Sequence, residues 1–301
     1  MTDQADFLTE FSNALAGRAE AAKSAIVAIR LAHGRHLTGM VWRPEIVVVS
    51  EQSLPEKDDF ELVAAGGAIV TARTAGRDPA TNIAILQLAA PMASPSIAVS
   101  EAHTGAVALA IGADGTGGAS ARLGLVNLAG AEWHSSRGGL IDRRIVLDLR
   151  LARHEEGGPV FDAAGACLGM STFGPRGQVI AIPTATIARI VPLLLGNGRI
   201  ARGWLGVALQ AVAVPDALRE AAGQSSGLMV MSVVAGGPAA QAGIVAGDIV
   251  LSVDGTSTHR FRKLARHFGS DSIGRRADLR LIRNGTVTTV QTTITQRPAD
   301  A

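Results

Sequence analysis

The feature that most constrains the fold is a succession of short β-rich runs separated by Gly, Pro, Asp or Ser. The 35 Gly and 12 Pro are spread along the chain rather than clustered, so the punctuation is regular and the sequence is not of low complexity. Many short strands with turn signals between them are typical of antiparallel barrels or sandwiches. The runs are Ile26–Leu31, Glu45–Val49, Leu62–Thr71, Ile83–Leu88, Ala106–Ile111, Ile145–Leu149, Val160–Met170 and Val179–Ile182.

Two predicted helices flank these strands. Residues 3–22 form an amphipathic pattern, with Phe7, Leu8 and Phe11 at three- and four-residue spacing. This helix either packs on its own domain or serves as an oligomerisation arm led by Phe7 and Phe11. The second helix is predicted at Thr184–Leu195, and Gly196-Asn197-Gly198 stops it.

A second unit is predicted after Gly203. Its clearest signal is Asn284-Gly285 between two alternating runs, because both positions of a tight hairpin turn require positive φ. A second turn is predicted at Asp254-Gly255. With 301 residues, the chain divides into an N-terminal helix (1–23), a strand-rich domain (24–197) and a C-terminal domain (203–297). The predicted elements of the C-terminal domain are strands at Leu205–Gln210, Leu228–Val234, Asp248–Val253, Ala277–Arg283 and Thr286–Thr293, and helices at Pro238–Ala242 and about His259–Phe268.

The composition excludes several classes of partner. The formal net charge is only +2, aromatic residues make up 3%, and no basic run is present, so nucleic acid is not expected to bind. No apolar run reaches the roughly 18 residues of a membrane span. The start, MTDQADFLTEF, has no basic segment followed by an apolar one, which predicts a cytoplasmic protein. The single Cys167, in an apolar run, is interpreted as a buried structural thiol.

Four motifs in order carry a resemblance to a known family: Gly76-Arg77-Asp78-Pro79-Ala80-Thr81-Asn82-Ile83-Ala84-Ile85-Leu86, Ala110-Ile111-Gly112, Gly157-Gly158-Pro159-Val160-Phe161-Asp162 and Val179-Ile180-Ala181-Ile182-Pro183. In this order they resemble the protease domain of the HtrA family of serine proteases. The segments 202–207 and 236–250 resemble the PDZ domain that follows it in that family. The resemblance implies a mainly β chain: a chymotrypsin-like double six-stranded β-barrel followed by a PDZ domain, with a short N-terminal helix.

The resemblance also locates the catalytic triad, and none of its three positions holds a catalytic residue. Gln52 stands where the family has His, Asn82 where it has Asp, and Glu156 where it has the nucleophilic Ser. Gln cannot act as a general base, and a carboxylate repels the oxyanion of peptide hydrolysis. His154 replaces a Gly of the oxyanion region and Glu155 follows it. The sequence therefore predicts a pseudoprotease; the alternative is an active HtrA-type serine endopeptidase with an unusual catalytic site, or with a triad at other positions than this alignment gives.

No cofactor or metal is predicted. His154, Glu155 and Glu156 are adjacent in sequence, but neighbouring residues of an extended loop point apart, and the helical spacing of a zinc protease is absent. His33 and His36 are expected to be solvated loop residues.

The resemblance implies that the C-terminal domain binds peptides. PDZ domains add an extended C-terminal peptide to a sheet edge and hold its carboxylate on loop amides. Trp204, Leu205, Gly206 and Val207 stand at that loop and strand, and Phe261, Leu264 and Phe268 form the opposite wall. The expected partners are protein C-termini with an apolar last residue and an active protease paralogue. The expected role is that of an adaptor, chaperone-like holder or regulator in protein quality control, and a homo-oligomer, by resemblance a trimer, is a further expectation.

Overall fold

The computed structural model of the protein describes residues 2–94, 98–135, 137–258, 265–269, 272–296 and 298. The chain forms two compact units, residues 1–133 with 141–199 and residues 134–140 with 200–301. The first unit includes the N-terminal helix. Residues 134–140, which the sequence assigns to the strand-rich domain, belong to the second unit.

The first unit contains two closed six-stranded barrels. Its strands are β1 (Ile26–Arg30), β2 (His36–Arg43), β3 (Ile46–Ser50), β4 (Asp59–Val63), β5 (Ile69–Asp78), β6 (Ile83–Leu88), β7 (Val107–Ala113), β8 (Ala119–Ala129), β11 (Ile145–Asp148), β12 (Pro159–Phe161), β13 (Cys167–Phe173) and β14 (Val179–Pro183). The two-residue strands β9 (Trp133–His134) and β10 (Leu140–Ile141) precede β11 in the chain, and each has one residue in each unit. The hydrogen-bonded order is β1-β2-β3-β6-β5-β4 in the first barrel and β11-β14-β13-β12-β7-β8 in the second. The chymotrypsin-like double barrel is therefore confirmed.

Each barrel has its own apolar core. Val27, Val47 and Leu86 are buried in the first barrel, and Val126 and Val160 in the second. Burying such a side chain contributes about 1.5–3 kcal/mol relative to leaving it exposed. These residues lie on strands paired with distant ones, so each core forms only when its barrel closes.

Two predicted strands are in fact hairpins. Residues 62–71 contain a turn, because Gly66 and Gly67 take φ of 78° and 85° and separate β4 from β5. Residues 160–170 likewise contain a turn at Gly165, with φ of 84°, between β12 and β13. Strands β2 and β8 were not predicted. Strand β8 contains Leu123, Leu125, Val126 and Leu128, but of these only Val126 is buried, so its apolar residues do not keep the alternation of a half-buried strand.

The α-helices are α1 (Thr2–Ala21), α2 (Thr184–Asn197), α3 (Arg219–Ala222) and α4 (Pro238–Gln241). Helix α2 buries Ile187, Ile190 and Leu194 and ends at Gly198, whose φ is 68°. Short 3-10 turns lie at Ala22–Ala25, Ala32–Gly34, Glu51–Ser53, Ala65–Gly67, Arg153–Glu155, Pro175–Gly177, Asp216–Leu218 and Ala265–Phe268. No helix among the described residues has both the length and the apolar character needed to cross a bilayer.

Helix α1 does not bury its apolar stripe. Phe7 and Leu8 are 63% and 64% exposed, and Phe11 is 41% exposed. The rings of Phe7 and Phe11 stack on each other with centroids 6.3 Å apart. The expectation that the helix packs on its own domain is thus wrong for its first half, and a role as an oligomerisation arm stays a prediction.

The second unit is built on an antiparallel sheet with the order β16-β17-β18-β20-β21. Its strands are β15 (Gly203–Trp204), β16 (Val207–Ala213), β17 (Ser226–Val233), β18 (Ile249–Val253), β19 (Thr256–Ser257), β20 (Arg276–Arg283), β21 (Thr286–Thr293) and β22 (Thr295–Gln296). Both predicted turns are present: Asn284 and Gly285 have φ of 49° and 76°, and Asp254 and Gly255 have φ of 47° and 73°. Of the helix predicted at about 259–268, only a 3-10 turn at Ala265–Phe268 lies within the described residues.

Candidate functional site

The structure brings Gln52, Asn82 and Glu156 together, although they lie on three separate connections of the barrels. Gln52 is in the 3-10 turn after β3, Asn82 directly precedes β6, and Glu156 lies shortly before β12. The Gln52 side-chain amide donates to Glu156 Oε1 at 2.6 Å, and the Gln52 backbone amide donates to Asn82 Oδ1 at 2.8 Å. The convergence is what the resemblance implies for a triad, but the groups that meet are two amides and a carboxylate.

The Glu156 carboxylate is buried, with 4% of the residue exposed, and the groups that donate hydrogen bonds to it within the described part of the chain are uncharged. The donors to Oε1 are Ser50 Oγ at 2.8 Å, Gln52 Nε2 at 2.6 Å, Thr172 Oγ1 at 2.6 Å and the Phe173 backbone amide at 3.3 Å, and Ser53 Oγ donates to Oε2. Hydrogen bonds to an ionised acceptor are stronger than neutral ones, and together they offset the cost of taking the charge out of water.

Asn82 supports this carboxylate through the two hydroxyl groups. Its amide nitrogen donates to Ser50 Oγ at 3.0 Å and to Thr172 Oγ1 at 2.7 Å, and both hydroxyls donate onward to Glu156. An aspartate could not donate in this way. Asn82 also takes φ of 59°, a left-handed conformation that Asn and Asp adopt more readily than most residues. Asn82, Gln52 and Glu156 with these hydroxyls form one hydrogen-bonded group, which we call the Glu156 network.

Glu155 points away from Glu156 and is tied to strand β8. It is 1% exposed; its carboxylate accepts from Arg122 Nε at 2.9 and 3.0 Å, from Ser120 Oγ at 2.7 Å and from the Ala152 amide at 2.7 Å. Burial alone would raise the pKa of this carboxyl, but the Ala152 amide, the Ser120 hydroxyl and the Arg122 guanidinium outweigh it and hold the pKa below its ordinary value. Glu155 is therefore a charged anchor of the loop.

Two glycines allow this loop to lie close to both barrels. Gly157 has φ of 97°, and a Cβ there would lie 2.2 Å from the Thr38 carbonyl oxygen. At Gly112 on β7 a Cβ would lie 2.6 Å from Glu155 Cγ. The His154 carbonyl accepts from Thr38 Oγ1 at 2.7 Å. Gly157 of the Gly-Gly-Pro frame and Gly112 of the Ala-Ile-Gly motif thus let the loop fit against its supports.

A cleft of about 1010 Å³ opens beside the Glu156 network. Its lining includes Gln52, Ser53, His154 and Glu156, and also His36. The prediction that His36 is a solvated loop residue is wrong: it begins β2, its Nε2 lies 3.0 Å from the Ala113 carbonyl oxygen, and its ring lies 4.9 Å from that of His154. His33 is exposed, as expected.

The described residues contain no cluster of three or more His, Cys, Asp or Glu side chains arranged to hold a metal ion. Cys167 is buried, and its burial raises the pKa of the thiol to about 12. It lies on β13 within the second barrel and outside the lining of the cleft.

The second unit has an apolar groove of its own, with a volume of about 320 Å³. Trp204, Leu205, Gly206, Val207 and Phe268 all line it, as the sequence predicts. Phe261 and Leu264 lie outside the described residues. The remaining lining residues are Gly203, Leu209, Leu228, Val230, Ile244, Val250, Val253, Thr258 and Leu279.

Gly206 is one of the residues that line this groove. It has φ of 76°, and a Cβ there would lie 3.0 Å from the Trp204 indole ring. The adjoining strand β16 is a terminal strand in the order of the sheet, so one of its edges can accept a further strand.

The sequence reasoning missed the hydroxyl groups and the arginine that hold the site. Ser50 and Ser53 flank Gln52 in sequence, so their proximity could have been inferred from the motif itself. Thr172 and Arg122 could not, because only closure of the second barrel places β13 and β8 beside the loop.

Comparison with known proteins matches both units. A family profile described as a trypsin-like peptidase domain matches residues 37–170, and one described as a PDZ domain matches residues 203–294. A probable periplasmic serine endoprotease, DegP-like, from Brucella suis is 30% identical over 264 residues, covering 84% of this chain and 51% of that protein. A protein of the same description from Bartonella henselae is 28% identical, covering 84% and 52%. The chain thus spans about half the length of the curated relatives it matches.

Solved structures give the same picture of the fold. An HtrA-type protease, AlgW, with a decapeptide superposes with a TM-score of 0.70 at 22% identity, covering 96% of this chain and 99% of that one. The serine endoprotease from Yersinia pestis superposes with a TM-score of 0.68 at 25% identity, covering 95% and 98%.

These relatives overturn the cytoplasmic prediction. It rested on the first residues alone, and these form helix α1, whereas the proteins from Brucella and Bartonella are named as periplasmic. The fold, the two matched domains and the relatives agree on one assignment: the chain belongs to the HtrA family of trypsin-like proteases, with a trypsin-like peptidase domain followed by a PDZ domain.

Proposed function

We propose that this protein is a catalytically inactive member of its family, which acts in the periplasm by binding polypeptide ends in the groove of its PDZ domain. The observation that carries the inactivity is the Glu156 network. The three groups at the triad positions are bonded to one another and to neighbouring hydroxyls, and none is a neutral imidazole or a free nucleophile.

The alternative, an active serine endopeptidase, would require another nucleophile in the cleft. Ser53 lines the cleft, but its hydroxyl donates to Glu156. Among the described residues no histidine nitrogen lies within hydrogen-bond distance of Ser53 Oγ, since His36 bonds to Ala113 instead. A carboxylate is a weak base for a serine hydroxyl, because its pKa lies far below that of the alcohol.

A hydrolysis assay tests the inactivity. We expect the unmodified protein to release no more fluorescence from quenched peptides, or acid-soluble material from casein, than a buffer blank, while an active HtrA-type protease serves as the positive control. Robust hydrolysis that survives repeated purification and is abolished by Ser53→Ala would establish the alternative.

Peptide binding by the PDZ domain is supported by the character of the groove. Its lining is apolar apart from Thr258 and backbone groups, so it suits an apolar terminal side chain. The terminal strand β16 has an edge to which a further strand can be added, and we expect the loop amides near Gly206 to hold the terminal carboxylate. The HtrA-type protease AlgW has been solved with a decapeptide and with a tripeptide.

Titration of labelled peptides into the full-length protein tests this part. We expect peptides ending in Val or Leu to bind at least tenfold more tightly than the same peptides ending in Asp or in an amide. Equal affinity for all four endings would remove the proposal.

A further inference from the structure

The cleft beside the Glu156 network is lined by charged side chains that take no part in that network. Arg35 and Arg153 line it, and both are exposed. Within the described part of the chain neither guanidinium makes an ion pair. Arg43 and Arg144 of the same unit are likewise exposed and make no ion pair among the described residues, but they lie outside the cleft.

The acidic groups nearby do not neutralise these arginines. Glu156 is the one acid among the described residues that line the cleft, and a single carboxylate, hydrogen-bonded by five uncharged donors, cannot balance two guanidinium groups. Glu155 bonds to Arg122, and Glu51 lies 3.7 Å from Arg77. With two guanidinium groups against one carboxylate, the cleft presents positive potential to a ligand.

The size and the remaining lining favour a polypeptide over a small ion. A volume of about 1010 Å³ is at the upper end of small-molecule sites and far larger than one phosphate or carboxylate needs. Leu31, Leu37 and Phe173 give the cleft an apolar side next to the arginines. The arginines and the apolar side together fit an extended segment that carries both acidic and apolar side chains.

We propose that this cleft is a binding site for an acidic polypeptide segment, with Arg35 and Arg153 contacting its carboxylates. The site is separate from the PDZ groove, and its occupancy depends neither on hydrolysis nor on a free chain end. The arginines give planar, bidentate donors for carboxylates, and their exposure makes the affinity sensitive to salt.

The test uses full-length protein and fluorescently labelled ten-residue peptides, acetylated and amidated so that no terminal carboxylate can enter the PDZ groove. One peptide alternates Glu with Ala and Leu, and its partner carries Lys in place of Glu. We expect the acidic peptide to bind at least tenfold more tightly than the basic one and to lose affinity as salt rises.

The decisive variant is Arg35→Glu combined with Arg153→Glu. We expect it to weaken the acidic peptide at least tenfold while leaving a Val-ended PDZ peptide unaffected. Arg43→Glu with Arg144→Glu is the matched control. Both arginines are exposed and lie outside the cleft, and their substitution changes the net charge by the same amount.

Three results would overturn the proposal. Equal binding of the acidic and basic peptides, or no binding of either, removes the charge preference. An unchanged affinity in the cleft variant, or an equal loss in the control variant, removes the site. Displacement of the peptide by millimolar inorganic phosphate at constant ionic strength reassigns the cleft to small anions.

Discussion

Asn82→Asp restores the residue type of an active triad, and we expect it to destabilise the first unit of this protein. Asn82 is partly buried, and its amide donates to Ser50 and Thr172, which donate onward to Glu156. The substitution replaces this donor with a carboxylate, so both hydroxyls lie between two negative charges. The backbone is not a confounding factor, because Asp tolerates the positive φ at position 82 about as well as Asn does.

The magnitude follows from the distances in the network. The carboxylates would be separated by one hydroxyl, at 2.7–3.0 Å from position 82 and 2.6–2.8 Å from Glu156, which places their nearest oxygens about 5 Å apart. Two unit charges at about 5 Å repel by about 3 kcal/mol at an effective dielectric constant of about 20. The lost donor bonds add about 1 kcal/mol each, and solvent screening from the cleft offsets part of the sum. We expect a loss of about 2–3 kcal/mol at neutral pH.

The loss of stability in Asn82→Asp should depend on pH, in a direction set by the pKa of the introduced carboxyl. Repulsion from Glu156 raises the pKa of the carboxyl introduced at position 82 above its value in the unfolded chain. A group of this kind destabilises the folded state at neutral pH, and the loss diminishes as pH falls and the carboxyl takes up a proton. Stability relative to the unmodified protein should therefore recover toward about pH 5.

Native-state hydrogen exchange of the β3 and β13 amides measures this free energy in the first unit, separately from the PDZ unit. Asn127→Asp is the control, since Asn127 is exposed on β8 and should change stability by less than about 0.5 kcal/mol. Equal protection in Asn82→Asp and the unmodified protein at neutral pH, or a loss that does not recover in acid, would refute the role assigned to Asn82.

Three further predictions concern single residues. Asp248→Asn should lower the free energy of unfolding of the PDZ unit, measured in urea near neutral pH, by about 2 kcal/mol. Burial alone would raise the pKa of Asp248, but Arg283 at 2.6 Å and the Val245 amide hold this pKa below its ordinary value of 3.8. The stabilisation by the ion pair is therefore present above pH 3.8 and is lost as the pH falls below that value. An undiminished difference near pH 2 would count against the ion pair. Gly206→Ala should weaken the binding of Val-ended peptides, measured by fluorescence anisotropy, about tenfold, because an alanine is strained at this positive φ and its Cβ crowds Trp204. Gly236→Ala is the control: Gly236 also has a positive φ, but the space around it is open, so peptide binding should stay intact. Cys167 should resist iodoacetamide at about pH 8 in the native protein, because its pKa is about 12, and react fully in denaturant; rapid alkylation of the native protein would show that the thiol is accessible.

Much of the fold could be predicted from the sequence because its signals are local. The turn at Asn284-Gly285 and the strands on either side of it follow from residue types that require positive φ or alternate in polarity. Strand β8 could not be predicted, since its stability comes from pairing with β7 and β11 rather than from its own burial pattern.

The candidate site shows the same division. Gln52, Asn82 and Glu156 could be located from motifs around them, and their meeting in space agrees with that alignment. What the motifs could not supply is why these particular residues fit together. Thr172 comes from a strand 16 positions after Glu156, and it receives a hydrogen bond from Asn82, 90 positions before it. Such partners are set by barrel closure, which is a non-local event.

The central claim is that the cleft contains no activated nucleophile, and covalent labelling tests it most directly. The unmodified protein is incubated with a fluorophosphonate, which phosphonylates activated serines with loss of fluoride, and its intact mass is measured beside that of an active HtrA-type protease. We predict no mass increase, because the Ser53 hydroxyl donates a hydrogen bond to Glu156 and has no imidazole base beside it among the described residues. Stoichiometric addition of one phosphonyl group, mapped to Ser53 or to any other serine of the first unit, would contradict it.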